Sequence, residues 1–146
     1  MTLVYKFVNN DCIAFIDGDC QVGPSSFQNM MSAFEDDPTR VYCSALRELG
    51  DVDGFVCGAR IDENGLSSPL VDDERGEGIE PISCLQPGFV LFPRHALDRA
   101  SEGGICKSIE KLSTNLGEAD IEICCNRSAV ISYKGLTNLG VETIHA

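Results

Sequence analysis

The sequence predicts a single α/β domain over residues 1–146, with a mostly parallel or mixed sheet and helices packed on it. Two observations carry that expectation: short apolar runs bounded by turn residues recur along the chain, and a strongly amphipathic helix lies between the first two of them. At 146 residues, 43% of them hydrophobic, the chain is also long enough to bury one real core. No internal repeat, low-complexity tract or linker divides it.

Ile13-Ala14-Phe15-Ile16 is an apolar run of strand length that stops at Asp17-Gly18-Asp19, which favours a buried strand. After Gly23-Pro24, the apolar residues Phe27, Met30, Met31 and Phe34 fall at i, i+3, i+4 and i+7, predicting a helix over 25–35. Asp36-Asp37-Pro38 ends it. Residues 40–46 and 54–61 read as strands, and Asp62-Glu63-Asn64-Gly65 carries an Asn-Gly reversal signal. The polar, acidic stretch 67–80 reads as a mobile loop. Residues 82–92 read as extended, with Pro87-Gly88 interrupting them, and Pro93-Arg94-His95-Ala96-Leu97 opens a short helix. Residues 105–125 read as helix, in one piece or in two broken near Asn115–Gly117, while 129–133 and 141–144 are β-rich.

Acidic residues outnumber basic ones 23 to 11, for a net charge of -12. Such a surface repels nucleic acid and anionic lipid, so neither is an expected partner. No apolar run is long enough to cross a bilayer, and Met1 to Lys6 lacks the basic and apolar regions of a signal peptide. The expected compartment is therefore the cytoplasm. The eight cysteines include no C-x2-C pair, which argues against a zinc knuckle. Their apolar neighbours predict mostly reduced, buried thiols, with a disulfide set as the alternative.

Asp17-Gly18-Asp19 is the strongest chemical signal. Two carboxylates just beyond a buried strand sit at the carboxyl edge of the sheet, where open α/β folds bind ligands. Oxygen ligands of this kind suit Mn²⁺ or Mg²⁺, whose coordination substrate phosphates often complete. An acidic turn after a strand is the competing account. Glu118-Ala119-Asp120 could supply a general base or be a solvated helix face. His145 could ligate a metal or be a frayed terminus.

In this order, D-x-D, E-x-D and a late histidine resemble the family 2 type of GT-A glycosyltransferase, a nucleotide-diphospho-sugar transferase-like fold, from about Asp11 to His145. The Asn-Gly turn and Pro87-Gly88-Phe89-Val90-Leu91-Phe92-Pro93-Arg94 add to the likeness. The resemblance implies metal-dependent, inverting transfer of a sugar from a nucleotide-sugar donor to a sugar acceptor. By the same likeness Asp17 and Asp19 would bind the donor, with Asp19 and His145 on the metal. Glu118, with Asp120, would act on the acceptor hydroxyl, and Gly88 and Arg94 would line the acceptor side. Only sixteen residues precede Asp17, so most of the family's nucleotide-binding half has no counterpart and the enzyme reads as degenerate or incomplete.

Two other readings stand beside it. One is a non-catalytic binding protein, or a homo-oligomer that covers an open sheet edge. The other is a phosphatase of haloacid dehalogenase type, using Asp17 and Asp19 with Ser44 and Lys107. Against the latter, Asp72-Asp73 precedes Lys107, the reverse of the required order.

Overall fold

In a computed structural model, residues 3–4, 11–48, 54–72, 74, 76–101, 105–106, 108–133 and 144–145 are described. The apolar run forms β2 (Cys12–Ile16), preceded by the short β1 (Leu3–Val4). Beyond Asp17-Gly18-Asp19 come β3 (Cys20–Gln21) and α1 (Pro24–Asp36), with Pro24 in the first turn of the helix. Then follow β4 (Val41–Glu48), β5 (Phe55–Ile61) and β6 (Ser67–Asp72). Next are β7 (Ile79–Ile82), β8 (Phe89–Pro93) and α2 (Arg94–Ala100). The chain continues through β9 (Ile105–Cys106), α3 (Ile109–Glu118), β10 (Ile123–Tyr133) and β11 (Ile144–His145).

One large sheet contains β2, β4, β5 and β8, as the apolar runs predict, and its pairing is mixed. Parallel pairing joins β10 to β4 and β11 to β6; the other described pairs are antiparallel. Short reversals explain the excess of antiparallel pairs. Between β5 and β6, Asp62 Oδ1 accepts from Asn64 N at 2.8 Å and Leu66 N at 3.0 Å, and Gly65 takes a φ of 78°. That turn leaves no room for a crossover.

The sheet separates two apolar layers. On β4, Tyr42 and Leu46 face α1, whereas Val41, Cys43 and Ala45 face α2 and α3. On β8, Phe89 and Leu91 face α1, and Val90 and Phe92 face the other layer, the period-2 alternation of a strand buried on both sides. β10 breaks this phase on purpose. Asn126 pairs with Ser44 and Val130 with Ala45, so Arg127, Ser128 and Ala129 form an insertion. The odd insertion reverses the alternation, bringing both Cys124 and Ile131 to the α1 layer.

Helix α1 docks on that bulge. Ser26 Oγ donates to Val130 O at 2.6 Å, and Asn29 Nδ2 donates to Ser128 O at 3.0 Å. Met30 is fully buried, and Met31 and Phe34 are half-buried against the same layer. Phe27 remains 47% exposed and stacks on Phe89 with ring centroids 5.9 Å apart.

Three expectations need correction. Ser67–Asp72 and Ile79–Ile82 are strands and not parts of a mobile loop. Their acids are held in place: Arg127, in the bulge, meets Asp72 at 2.7 Å and Glu80 at 2.5 Å. The helix predicted to reach 125 ends at Glu118, because Ile123 to Cys125 pair with Val41 to Cys43 in the sheet. Finally, Cys12, Cys20, Cys43, Cys84 and Cys124 are free thiols, as a mostly reduced set requires, and the correction is confined to Cys57 and Cys125, which are joined in a disulfide. Of the β-rich ending 141–144, residues 141–143 lie outside the described residues.

Candidate functional site at the carboxyl end of the sheet

Strand registers define two ends. Ala14 faces Leu91, and Leu91 faces Tyr42, so β2 runs parallel to β4 and β10. Asp17 follows the last residue of β2 and lies at the carboxyl end of these strands. Its N–H donates to Gly88 O at 2.8 Å, which places Gly88 at the same end. The turn closes locally: Cys20 N donates to Asp17 O at 3.1 Å, and Asp19 N donates to Asp17 Oδ1 at 3.1 Å. This side-chain turn needs a short carboxylate at the first position and suits the Gly18 that follows.

Beside it, the Cys20 thiol is pushed up to about 12, by burial first and then by Asp17 and Asp19. Cys20 stays a neutral thiol at physiological pH, so hard carboxylate oxygens are the local donors. That donor chemistry fits Mn²⁺ or Mg²⁺ held by one or two carboxylates, with phosphates and water completing the shell. Among the described residues no group of three or more ligating side chains is assembled.

Asp17 lines a cavity of about 170 Å³ together with Ser67, Gln86, Pro87, Ile109 and Glu110. Gln86 secures the floor. Buried to 2% exposure, it donates through Nε2 to Ser44 O at 2.6 Å and Val56 O at 3.0 Å, and accepts from Gly58 N. This tether fixes the irregular segment leading to Gly88. There a side chain has no room, since a Cβ would lie 2.6 Å from Leu46 Cδ2 and φ is 130°.

Helix α3 begins at this end. Ser108 Oγ accepts from Lys111 N at 3.0 Å as N-cap, and Ser67 Oγ donates to Glu110 Oε1 at 2.6 Å. Burial pushes the Glu110 carboxyl up, but the Ser67 hydroxyl and backbone N–H groups outweigh it and hold the group below the usual range. Glu110 is therefore ionised at neutral pH. Sequence reading missed it. The usable signal was Ser108 ahead of Ile109, Leu112 and Leu116, which marks a helix start two residues before Glu110.

The expected partners do not all converge. Because α3 leads directly into β10, which starts level with the start of β4, α3 must end at the amino end of the strands. Glu118 and Asp120 lie there, exposed, and not beside Asp17 and Asp19. Val41 N donates to Glu122 O at 3.0 Å, which ties that turn to the first residue of β4. The two ends are five strand residues apart, about 17 Å along the strands.

Asp120 has a structural task. It takes a φ of 57°, its N–H donates to Gly117 O at 3.1 Å, and Ile121 N donates to Leu116 O at 2.9 Å. With Leu116 and Ile121 both buried, this is a Schellman closure carrying Asp where glycine is usual. Arg94 also parts from Gly88. It stands past the far end of β8, where Arg94 N donates to Asp11 O at 2.7 Å and Nε lies 3.7 Å from Asp98.

His145 pairs with Val71, Val71 with Val56, and Val56 with Leu46, so its backbone is level with the Asp17 end of β4. Its side chain lies outside the described part. Ser44, nominated for a phosphatase, is fully buried in mid-sheet, and Lys107 lies outside the described residues.

No helix among the described residues is long and apolar enough to cross a membrane. No curated protein matches the chain. Residues 2–99 match the family described as Glycosyl transferase family 2, a stretch that includes the Asp17–Asp19 turn, Gly88 and most of α2. The mixed α/β architecture agrees with the GT-A-like fold that this family implies. The chain belongs to glycosyl transferase family 2, and its domain is glycosyltransferase-like.

Proposed function

We propose that this chain binds a nucleotide-sugar donor at the Asp17–Asp19 turn, through Mn²⁺ or Mg²⁺, and transfers the sugar to an acceptor hydroxyl in the adjoining cavity with inversion. The observation that carries this reading is the shared cavity: Asp17 of the carboxylate turn lines a mainly apolar recess that also holds Ser67 and Glu110. Family membership supports nucleotide-sugar and acceptor binding in general. Asp19 would hold the cation, with Asp17 beside it and His145 as a further ligand.

When bound, the cation would offset the charge of the diphosphate leaving group. Asp17 orients the turn through its bond to Asp19 N, and the backbone bond to Gly88 sets the turn's height over the cavity. The apolar wall of Ile109 and Pro87 limits water around the acceptor.

Isothermal titration with Mn²⁺ and a panel of nucleotide sugars tests the proposal. Metal alone should bind weakly, since such sites rely on substrate phosphates. Asp19→Ala should abolish metal-dependent nucleotide binding and leave the melting temperature unchanged, because Asp19 is exposed. Undiminished nucleotide binding by Asp19→Ala would reject the site. Metal-dependent binding without any transfer would favour the non-catalytic reading.

A further inference from the structure

We propose that Glu110, and not Glu118, takes the proton from the acceptor hydroxyl. The assignment rests on the glycosyltransferase reading above and adds a residue to it. Glu110 lines the cavity that Asp17 lines, whereas Glu118 closes the opposite end of the same ten-residue helix, about 15 Å long. A base must reach within hydrogen-bonding distance of the proton it removes, directly or through one water. Glu118 cannot serve a hydroxyl seated beside Asp17.

Two features prepare Glu110 for the task. Ser67 Oγ, on β6, donates to Oε1 at 2.6 Å and fixes the orientation of the carboxylate from the adjacent strand. The N-cap at Ser108 anchors the turn from which the side chain projects. The group is ionised at neutral pH, the form that accepts a proton.

In the step itself, the acceptor O–H bond breaks and its proton passes to Glu110. The freed oxygen pair bonds to the anomeric carbon. The bond from that carbon to the diphosphate oxygen breaks, and its electron pair leaves with the nucleoside diphosphate. Glu110 then returns the proton to solvent.

The test compares the parent chain with Glu110→Gln and Glu118→Gln. It measures sugar transfer to acceptor and to water across pH, with Mn²⁺–nucleotide titration and melting temperature alongside. Glu110→Gln should lower kcat by about 10²-fold or more. Donor affinity should hold, and the acidic limb of the pH profile should disappear. Glu118→Gln should behave as the parent chain.

Wild-type kcat in Glu110→Gln, or a loss in Glu118→Gln, overturns the assignment. So does a Glu110→Gln defect in which donor affinity and melting temperature fall together, since that marks a structural role. Donor binding with no transfer to acceptor or water also overturns the assignment, but leaves the donor site standing. A parent chain that binds no nucleotide sugar overturns the glycosyltransferase reading itself, and the assignment with it.

Discussion

The two ends of the parallel strands both carry acidic residues, yet they hold them differently. At the amino end three of the acids meet cations: Arg40 lies 3.1 Å from Asp37 and 3.2 Å from Glu122, and Arg94 lies 3.7 Å from Asp98. At the carboxyl end Asp72 also meets a cation, Arg127, at 2.7 Å, but Asp17 accepts from the Asp19 N–H and Glu110 from the Ser67 hydroxyl. A carboxylate beside an arginine has its charge largely neutralised. An N–H or O–H donor orients a carboxylate through a directional bond and adds no full positive charge of its own beside it. An acidic motif is therefore not yet a site; the type of group that fixes it matters as much as its sequence.

Three substitutions would break or sharpen this contrast. The largest effect is expected from Gly88→Ala at the carboxyl end. Its Cβ would press into Leu46, which is fully buried and cannot swing away, and a φ of 130° is strained for any side chain. Overpacking and backbone strain together should cost about 2–4 kcal/mol in urea unfolding. Because Asp17 N donates to Gly88 O, nucleotide binding should fall as well. A neutral Gly88→Ala would mean that the segment is looser than its tether through Gln86 implies.

Ser108→Ala should have a smaller effect, about 1 kcal/mol, through loss of the N-cap bond to Lys111 N. Its sharper readout is transfer activity, which should drop as the turn bearing Glu110 frays, while donor titration stays unchanged. Equal losses in donor binding and transfer would place α3 outside the acceptor side.

The smallest change belongs to the amino end and has the opposite sign. Asp120→Gly should stabilise the chain by about 0.5–1 kcal/mol, since glycine takes a left-handed φ without steric cost. Sugar transfer should be unaffected. If Asp120→Gly instead abolished transfer without loss of stability, the amino end would belong to the site and the contrast would fail.

Acid pH bears on the same contrast. The folded pKa of Glu110 is lowered, so its contribution to stability is complete above its unfolded value. That contribution is lost as pH falls through the lower, folded value.

The helix Pro24–Asp36 was legible because Phe27, Met30, Met31 and Phe34 repeat at helical spacing, and the fully buried Met30 confirms which face is inward. The Asp17–Asp19 turn was legible for a similar reason: an apolar run, a pair of carboxylates and a glycine are local signals. The strand at Ser67–Asp72 was hidden by its composition. Its inward positions, Pro69 and Val71, are too few to outvote the polar residues between them. The stretch Ile121–Cys125 was misread because consecutive apolar residues suit a buried helix and a buried strand alike. The Cys57–Cys125 bridge spans 68 residues, and no spacing rule reaches that far.

The sequence by itself determined the class of fold, the amphipathic helix, the reversal at Asn64-Gly65 and the carboxylate turn at Asp17–Asp19. Each of these depends on neighbours within a turn of helix or a strand's length. Only the tertiary structure decided which carboxylates meet. Glu110 reaches the cavity of Asp17 because α3 runs from the carboxyl end of the sheet to the amino end before β10 begins. The same direction carries Glu118 away. Eight residues separate the two glutamates along one helix, and the pairing of Ile123 with Val41 settles which of them the cavity receives.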